Sequence, residues 1–239
     1  MTGIVDKLKN ILPDGAVITG EAISSRATSY WDASPMQGRA MVRPSSTDEV
    51  SQVLRLCHEA RQSVVAQGGL TGVVEGAWSM PDDVIISLEK MNAIESVDEL
   101  DGVAVIEAGA ILQDVQEQLA EKGLLFPLDL GARGSCTIGG AVATNAGGIN
   151  VLRYGMMRNL VLGLEAVLAD GTVVSSMNQM LKNNTGYDIK QLFIGSEGTL
   201  GVVTRAVVKL FPMPTSRQTA MFATESFDAV IRILKTMQG

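Results

Sequence analysis

Three runs of glycine constrain this chain more than any helix or strand in it: Gly68-Gly69-x-x-Gly72, the stretch GSCTIGGAVATNAGG over 134–148, and GSEGTLG over 195–201. A glycine inside a regular element costs roughly 0.5–1 kcal/mol against alanine, so segments this rich in it are not chosen for helix or strand stability. They suit sharp turns and main chain that something approaches closely. Amides free of Cβ atoms can converge on a phosphate without help from a basic side chain. A tight turn is the competing explanation for any single cluster.

Composition narrows what such a cradle would serve. The chain has 239 residues, 46% of them hydrophobic, and a formal charge of -7, which permits a sizeable core and argues against a nucleic-acid footprint. No stretch approaches about 18 uninterrupted apolar residues, so no transmembrane segment is expected. The opening MTGIVDKLKNILPDG lacks the apolar centre of a secretory signal and reads as a short amphipathic helix. Cys57 and Cys136 form no CxxC pair, so neither a disulfide framework nor a thiolate metal site is expected, and a reducing, cytoplasmic setting follows. His58 is the one histidine and falls within an amphipathic helix. No metal ligand and no catalytic residue is nominated.

The remaining pattern alternates helix and strand. Ser46 and Glu49 have capping-box spacing ahead of Val50, Val53, Leu54, Cys57 and Ala60, which predicts a helix over 47–61. A strand over 63–66 runs straight into the first glycine cluster, and a second follows at 84–88. Hairpins are expected at 93–108 and 160–176, turning at Asp101-Gly102 and Asp170-Gly171. A helix over 111–122 ends at Gly123, residues 128–149 read as loop and short helix, and 202–210 as a strand able to pair beside the second hairpin. FPMPTS then interrupts the pattern, before an expected strand in TAMFATE and a Ser226-capped helix. Glu197 reads either as a solvated loop charge or as an acceptor for neighbouring amides. Cys136 reads as a small buried residue near a ligand, and Tyr154 and Tyr187 as ligand contacts or packing aromatics.

No G-x-G-x-x-G follows a strand and no G-x-x-x-x-G-K-[ST] occurs, so neither a nicotinamide fingerprint nor a P-loop is present. Instead, VVAQGGLTGVVEGA, DLGARGSCTIGGAVATNAGG, RYG, VLGLEAVLADG and NNTGYDIKQLFIGSEGTLGVVT, in that order, resemble the vanillyl-alcohol oxidase-type flavoproteins with a PCMH-type FAD-binding domain. The resemblance is to their 2-hydroxyacid branch, which holds D-lactate, glycolate and D-2-hydroxyglutarate dehydrogenases. It implies an α+β fold of two subdomains, a small α/β unit and a mixed or antiparallel sheet with helices. It implies FAD as cofactor, a small 2-hydroxyacid as substrate and hydride transfer between them. Gln67, Gly68, Gly69, Leu70, Thr71 and Gly72 would wrap the pyrophosphate. Asp129, Ser135, Cys136, Thr137, Gly139 and Gly140 would line the ribityl and flavin side, with Thr144, Asn145 and Gly147 nearby. Glu197, Gly198, Gly201, Val202 and Val203 would complete the adenine-to-pyrophosphate wall.

Three positions depart from the hydroxyglutarate-type pattern: Leu70 where relatives carry Asn, Glu75 where they carry Gly, and Asn183 where they carry Asp. Leu70 also stands where covalent members carry a flavin-linking His, which implies non-covalent FAD. The expected division is a lead segment over 1–30, the FAD-binding domain over 31–211, and over 212–239 a linker with the first strand and helix of a C-terminal substrate domain. In relatives that second half holds the substrate carboxylate, an acid–base histidine and, in several, a divalent metal. A flavin-binding module or truncated fragment that cannot turn over alone is the alternative reading. The NNTGYDIKQLFIGSEGTLG stretch argues against other members of the fold, such as enolpyruvyl-sugar reductases or sugar-alcohol oxidases. The electron acceptor is unassigned, and an apolar face left where a second domain packs would favour homo-oligomerisation.

Overall fold

The computed structural model describes residues 3–238. A first unit contains α1 (Ile4–Ile11), β1 (Val17–Ile18), α2 (Glu21–Ser24), β2 (Ala40–Val42), α3 (Thr47–Glu59), β3 (Val64–Gln67) and β4 (Val84–Ser87). Its four-stranded sheet has the order β1-β2-β4-β3, with β2, β4 and β3 parallel and β1 antiparallel at one edge. All four residues of β4 are buried, as a parallel strand covered on both faces requires. α1 turns Leu8 inward and packs on α3. The Ser46 side chain accepts from the Glu49 amide at 3.2 Å to start α3. The reciprocal arm reaches one residue further back, the Glu49 carboxylate accepting from the Ser45 amide at 2.7 Å.

The second unit begins with the hairpin β5 (Ile94–Asp98) and β6 (Val103–Glu107), followed by α4 (Leu112–Ala120) and β7 (Leu124–Leu125). A run of short helices follows: α5 (Ile138–Ala143), α6 (Val151–Tyr154) and α7 (Met157–Leu160). Then come β8 (Val161–Val167), β9 (Val173–Ser176), α8 (Lys190–Phe193), β10 (Val202–Lys209), β11 (Phe211–Pro212) and α9 (Phe227–Gln238). The sheet order is β5-β6-β10-β8-β9, antiparallel throughout. Both hairpins turn on glycines in the left-handed region, Gly102 at φ 63° and Gly171 at φ 84°. β10 is central, and α5 packs across it and β6. α3 crosses from the first unit to lie against β8, so one continuous apolar cluster runs from Leu8 through Val53 and Ile106 to Val208. The fold is thus the α+β arrangement of two units that the sequence implied.

One expected element does not form. Residues 219–225 were to be a strand, yet they are exposed coil, with no strand beside them among the described residues. A lone strand has no ladder to satisfy its amides. The helix after it does form, with the Ala229 amide donating to the Ser226 hydroxyl at 3.3 Å.

Candidate functional site: a glycine-lined cavity

β3 delivers the chain into the first glycine cluster, and Gln67 closes the loop that follows. It is buried, and its Nε2 donates to the Ala77 carbonyl at 2.9 Å. Leu70 is held at φ 55°, and its carbonyl accepts from the Tyr30 amide at 2.9 Å. Among the described residues, the five consecutive amides from Gly68 to Gly72 donate to no acceptor of the chain. Gly69 sits so close to the second cluster that a Cβ would lie 1.9 Å from the Ser135 carbonyl oxygen, and one on Gly68 would lie 2.6 Å from Thr137 Oγ1. Absence of side chains therefore lets two distant segments touch.

The second cluster is fixed from behind. Leu112 and Ile138 amides donate to the Cys136 and Ala110 carbonyls, and the Gly139 amide donates to Ala108 at 2.7 Å. Thr137 caps α5 by accepting from the Gly140 amide at 3.1 Å. Thr144 is exposed and donates to the Gly140 carbonyl at 2.9 Å. Asn145, at φ 48°, accepts from the Arg158 amide at 2.9 Å. The Asp129 carboxylate accepts from Arg133 at 3.2 Å, while its carbonyl lies against Gly148. Gly147 rests on Val151 and Met156. Cys136 is buried and desolvation raises its thiol pKa, so it stays a neutral thiol.

The third cluster docks on the end of α5. The Gly195 and Glu197 amides donate to the Val142 and Ala143 carbonyls at 3.1 and 2.9 Å, supplying partners that the last turn of a helix otherwise lacks. Gly195 and Gly198 have φ of 86° and 79°, and a Cβ on Gly201 would lie 2.7 Å from the Val167 carbonyl oxygen. Each glycine of GSEGTLG thus has a reason within the fold. The Glu197 carboxylate accepts no hydrogen bond from the described residues and is exposed; its amide, not its carboxylate, is the group that ties the turn down.

The first two clusters share a cavity of about 610 Å³, whose lining includes Gln67, Gly68, Gly69, Leu70, Ser135 and Thr137. Gly198, Gly201 and Val202 instead line a second cavity of about 510 Å³ beside His58 and Arg61, and Val203 is buried in β10. Asp129, Cys136, Gly139, Gly140, Thr144, Asn145, Gly147, Thr71, Gly72 and Glu197 are not among the lining residues of either cavity. Arg26, Tyr30, Glu89 and Asn92 line the first cavity and went unread in the sequence. Tyr154 packs edge-on against Phe211 with centroids 4.7 Å apart, and Tyr187 is almost wholly exposed. A cradle of unpaired amides, kept open by glycines, fits a diphosphate-bearing dinucleotide.

Residues 38–176 match the profile of the FAD binding domain family. The chain is 43% identical over 232 residues to a mitochondrial D-2-hydroxyglutarate dehydrogenase of Bos taurus, covering 97% of this chain and 43% of that one. It is also 43% identical over 231 residues to the protein of that name from Arabidopsis thaliana, covering 96% of this chain and 41% of the relative. It therefore spans less than half the length of these curated relatives. Among solved structures, an alkyldihydroxyacetonephosphate synthase superimposes with a TM-score of 0.79 at 24% identity, over 89% of this chain and 41% of that one, a likeness of fold. No described helix is long and apolar enough to cross a membrane. The cytoplasmic setting expected from the cysteines is overturned, since both relatives are named mitochondrial. Two free, buried thiols are compatible with a reducing surrounding, and that does not tell one compartment from another. The profile takes in more than half of the residues and both glycine clusters that line the 610 Å³ cavity, and on that match the chain belongs to the FAD-binding domain family.

Proposed function

We propose that this chain is the cofactor-binding part of a flavin-dependent dehydrogenase of D-2-hydroxyacids, holding FAD non-covalently. The observation that carries the reading is the row of five unpaired amides over Gly68–Gly72, the first three of whose residues line a cavity that Ser135 and Thr137 also line. Bound FAD would supply the ring that accepts hydride from the α-carbon of the substrate. The chain's own part is to bind and orient. Gln67 fixes the loop that carries the amides, and Leu70, having no nucleophilic atom, forms no bond to a flavin. The segments around Thr144, Asn145 and Gly198–Val203 complete the proposed enclosure. Residues 31–211 form the proposed FAD domain, with 1–30 leading into it and 212–239 opening a substrate domain. Names of the relatives support the substrate class, and the length they have beyond this chain supports placing the acid–base group outside these residues.

The test is a titration of the purified chain with FAD, followed by D-2-hydroxyglutarate, D-lactate or glycolate and an artificial electron acceptor. Uptake of FAD with no bleaching of the yellow colour is expected from the isolated chain. A colourless protein that takes up no FAD at micromolar concentration would remove the reading, and turnover would mean that the site is complete within these residues.

A further inference from the structure

One wall of the cavity carries an arginine–carboxylate pair, and no glycine contributes to it. Arg26 follows α2 and Glu89 follows β4, yet they meet there, Arg26 donating to both carboxylate oxygens at 2.8 and 3.1 Å. Glu89 also accepts from Arg43 at 3.3 Å and from the Ser87 hydroxyl at 3.2 Å. Arg43 donates to the Gly15 carbonyl at 2.5 Å, and its Nε is buried without an acceptor among the described residues. Two guanidiniums, Arg26 in the cavity lining and Arg43 reaching Glu89 from outside it, stand against one carboxylate and leave one surplus positive charge, in a chain whose formal charge is -7. Pairing raises the Arg26 pKa and holds the Glu89 carboxyl below its ordinary range, chiefly through the hydrogen bonds between them. Both groups therefore remain charged at neutral pH. Two of the five guanidinium N–H groups of Arg26 are taken by Glu89, and three remain to donate.

We infer that Arg26 is a cofactor-binding residue, its guanidinium held by Glu89 to meet the diphosphate of a dinucleotide lying on the Gly68–Gly72 amides. This rests on the FAD-binding reading above. Arg26, Gly68, Gly69 and Leu70 line the same cavity, and Glu89 there is paired with Arg43 as well as Arg26, so an entering diphosphate meets a carboxylate already neutralised by two guanidiniums. A planar fork of N–H donors is also better matched to phosphate oxygens than a point charge.

The full chain is titrated with FAD and with riboflavin, which lacks the diphosphate, at low salt and near 1 M. Arg26→Gln should weaken FAD binding about ten- to hundredfold, flatten its salt dependence and leave riboflavin binding unchanged. Arg26→Lys, keeping the charge but not the fork, should fall between. Arg39→Gln removes a cation that pairs with Asp82 on the outer surface and should match the parent chain. Equal FAD affinity and salt response in Arg26→Gln would overturn the assignment. So would equal losses of FAD and riboflavin, which would make Arg26 a support of the fold only. A parent chain that binds no FAD would remove the functional reading itself, and this assignment with it.

Discussion

Thr47 and Glu165, 118 residues apart, are joined by a hydrogen bond of 2.7 Å from the Thr47 hydroxyl to the Glu165 carboxylate. Thr47 opens α3 in the first unit, and Glu165 lies in β8 of the second, so the bond spans the two halves of the fold. Glu165 is nearly buried, with Thr204 Oγ1 at 3.3 Å and an Arg205 nitrogen at 3.6 Å. Thr47→Val keeps the shape and takes away the donor, leaving a buried carboxylate short of one partner. A loss of about 1–3 kcal/mol is expected, read as a lower urea midpoint at unchanged slope. A change within about 0.5 kcal/mol, the range of ordinary surface substitutions, would mean the contact is not formed in solution.

Gly69 and Gly72 lie in one loop and should respond oppositely to alanine. At Gly69 the added Cβ would fall 1.9 Å from the Ser135 carbonyl oxygen and 2.9 Å from the Cys136 Cα. These are main-chain atoms that cannot rotate away, so the loop and the second glycine cluster must part. At Gly72 nothing lies within 4 Å, and φ is not positive. Gly69→Ala should lower the melting temperature and abolish FAD uptake, and Gly69→Asp adds a repulsive charge as well. Gly72→Ala should be neutral for stability to about 0.5 kcal/mol, or slightly favourable through a less flexible unfolded chain. Thermal melts on the two variants side by side decide this.

What the sequence made legible was local. The Ser46 cap, the turns at Gly102 and Gly171, and the Ser226 start of α9 each depend on residues within a few positions of one another. β2 escaped notice because three residues, Ala40–Val42, carry no period. Arg26 and Glu89 escaped because their pairing depends on α2 and β4 being folded side by side, and nothing in either segment announces the other. GSEGTLG shows how one glycine run can serve the fold whether or not a ligand also lies on it. Its glycines answer to left-handed backbone at 195 and 198 and to a close strand at 201, and these demands look the same in sequence as a phosphate cradle.

Glu75 carries a backbone cost that a substitution can relieve. It is exposed, sits at φ 58° and makes no side-chain hydrogen bond among the described residues. A left-handed conformation costs a residue with a Cβ roughly 1–2 kcal/mol, and glycine loses roughly 0.5–1 kcal/mol more entropy on folding. Glu75→Gly should therefore stabilise the chain by up to about 1 kcal/mol. It also removes a negative charge from the loop of the unpaired amides, so FAD should bind more tightly, most visibly at low salt. Lower stability in urea would mean that the backbone there is not left-handed.

Cys57 gives stability a pH dependence whose sign follows from burial alone. It faces the core from α3, and desolvation pushes its thiol from 9.0 up to about 11. Below pH 9.0 the thiol is protonated in both folded and unfolded chains, and its contribution is fully present. Between 9.0 and about 11 the unfolded chain releases the proton while the folded chain keeps it, so the unfolded state gains and stability falls. Cys57→Ala should flatten that alkaline decline, at the cost of a small cavity beneath α3. Urea midpoints for both proteins from pH 8 to 10.5 test this. The same burial predicts that a thiol reagent at pH 8 modifies Cys57 only as fast as the chain opens, and modification as rapid as in a denatured control would contradict both expectations.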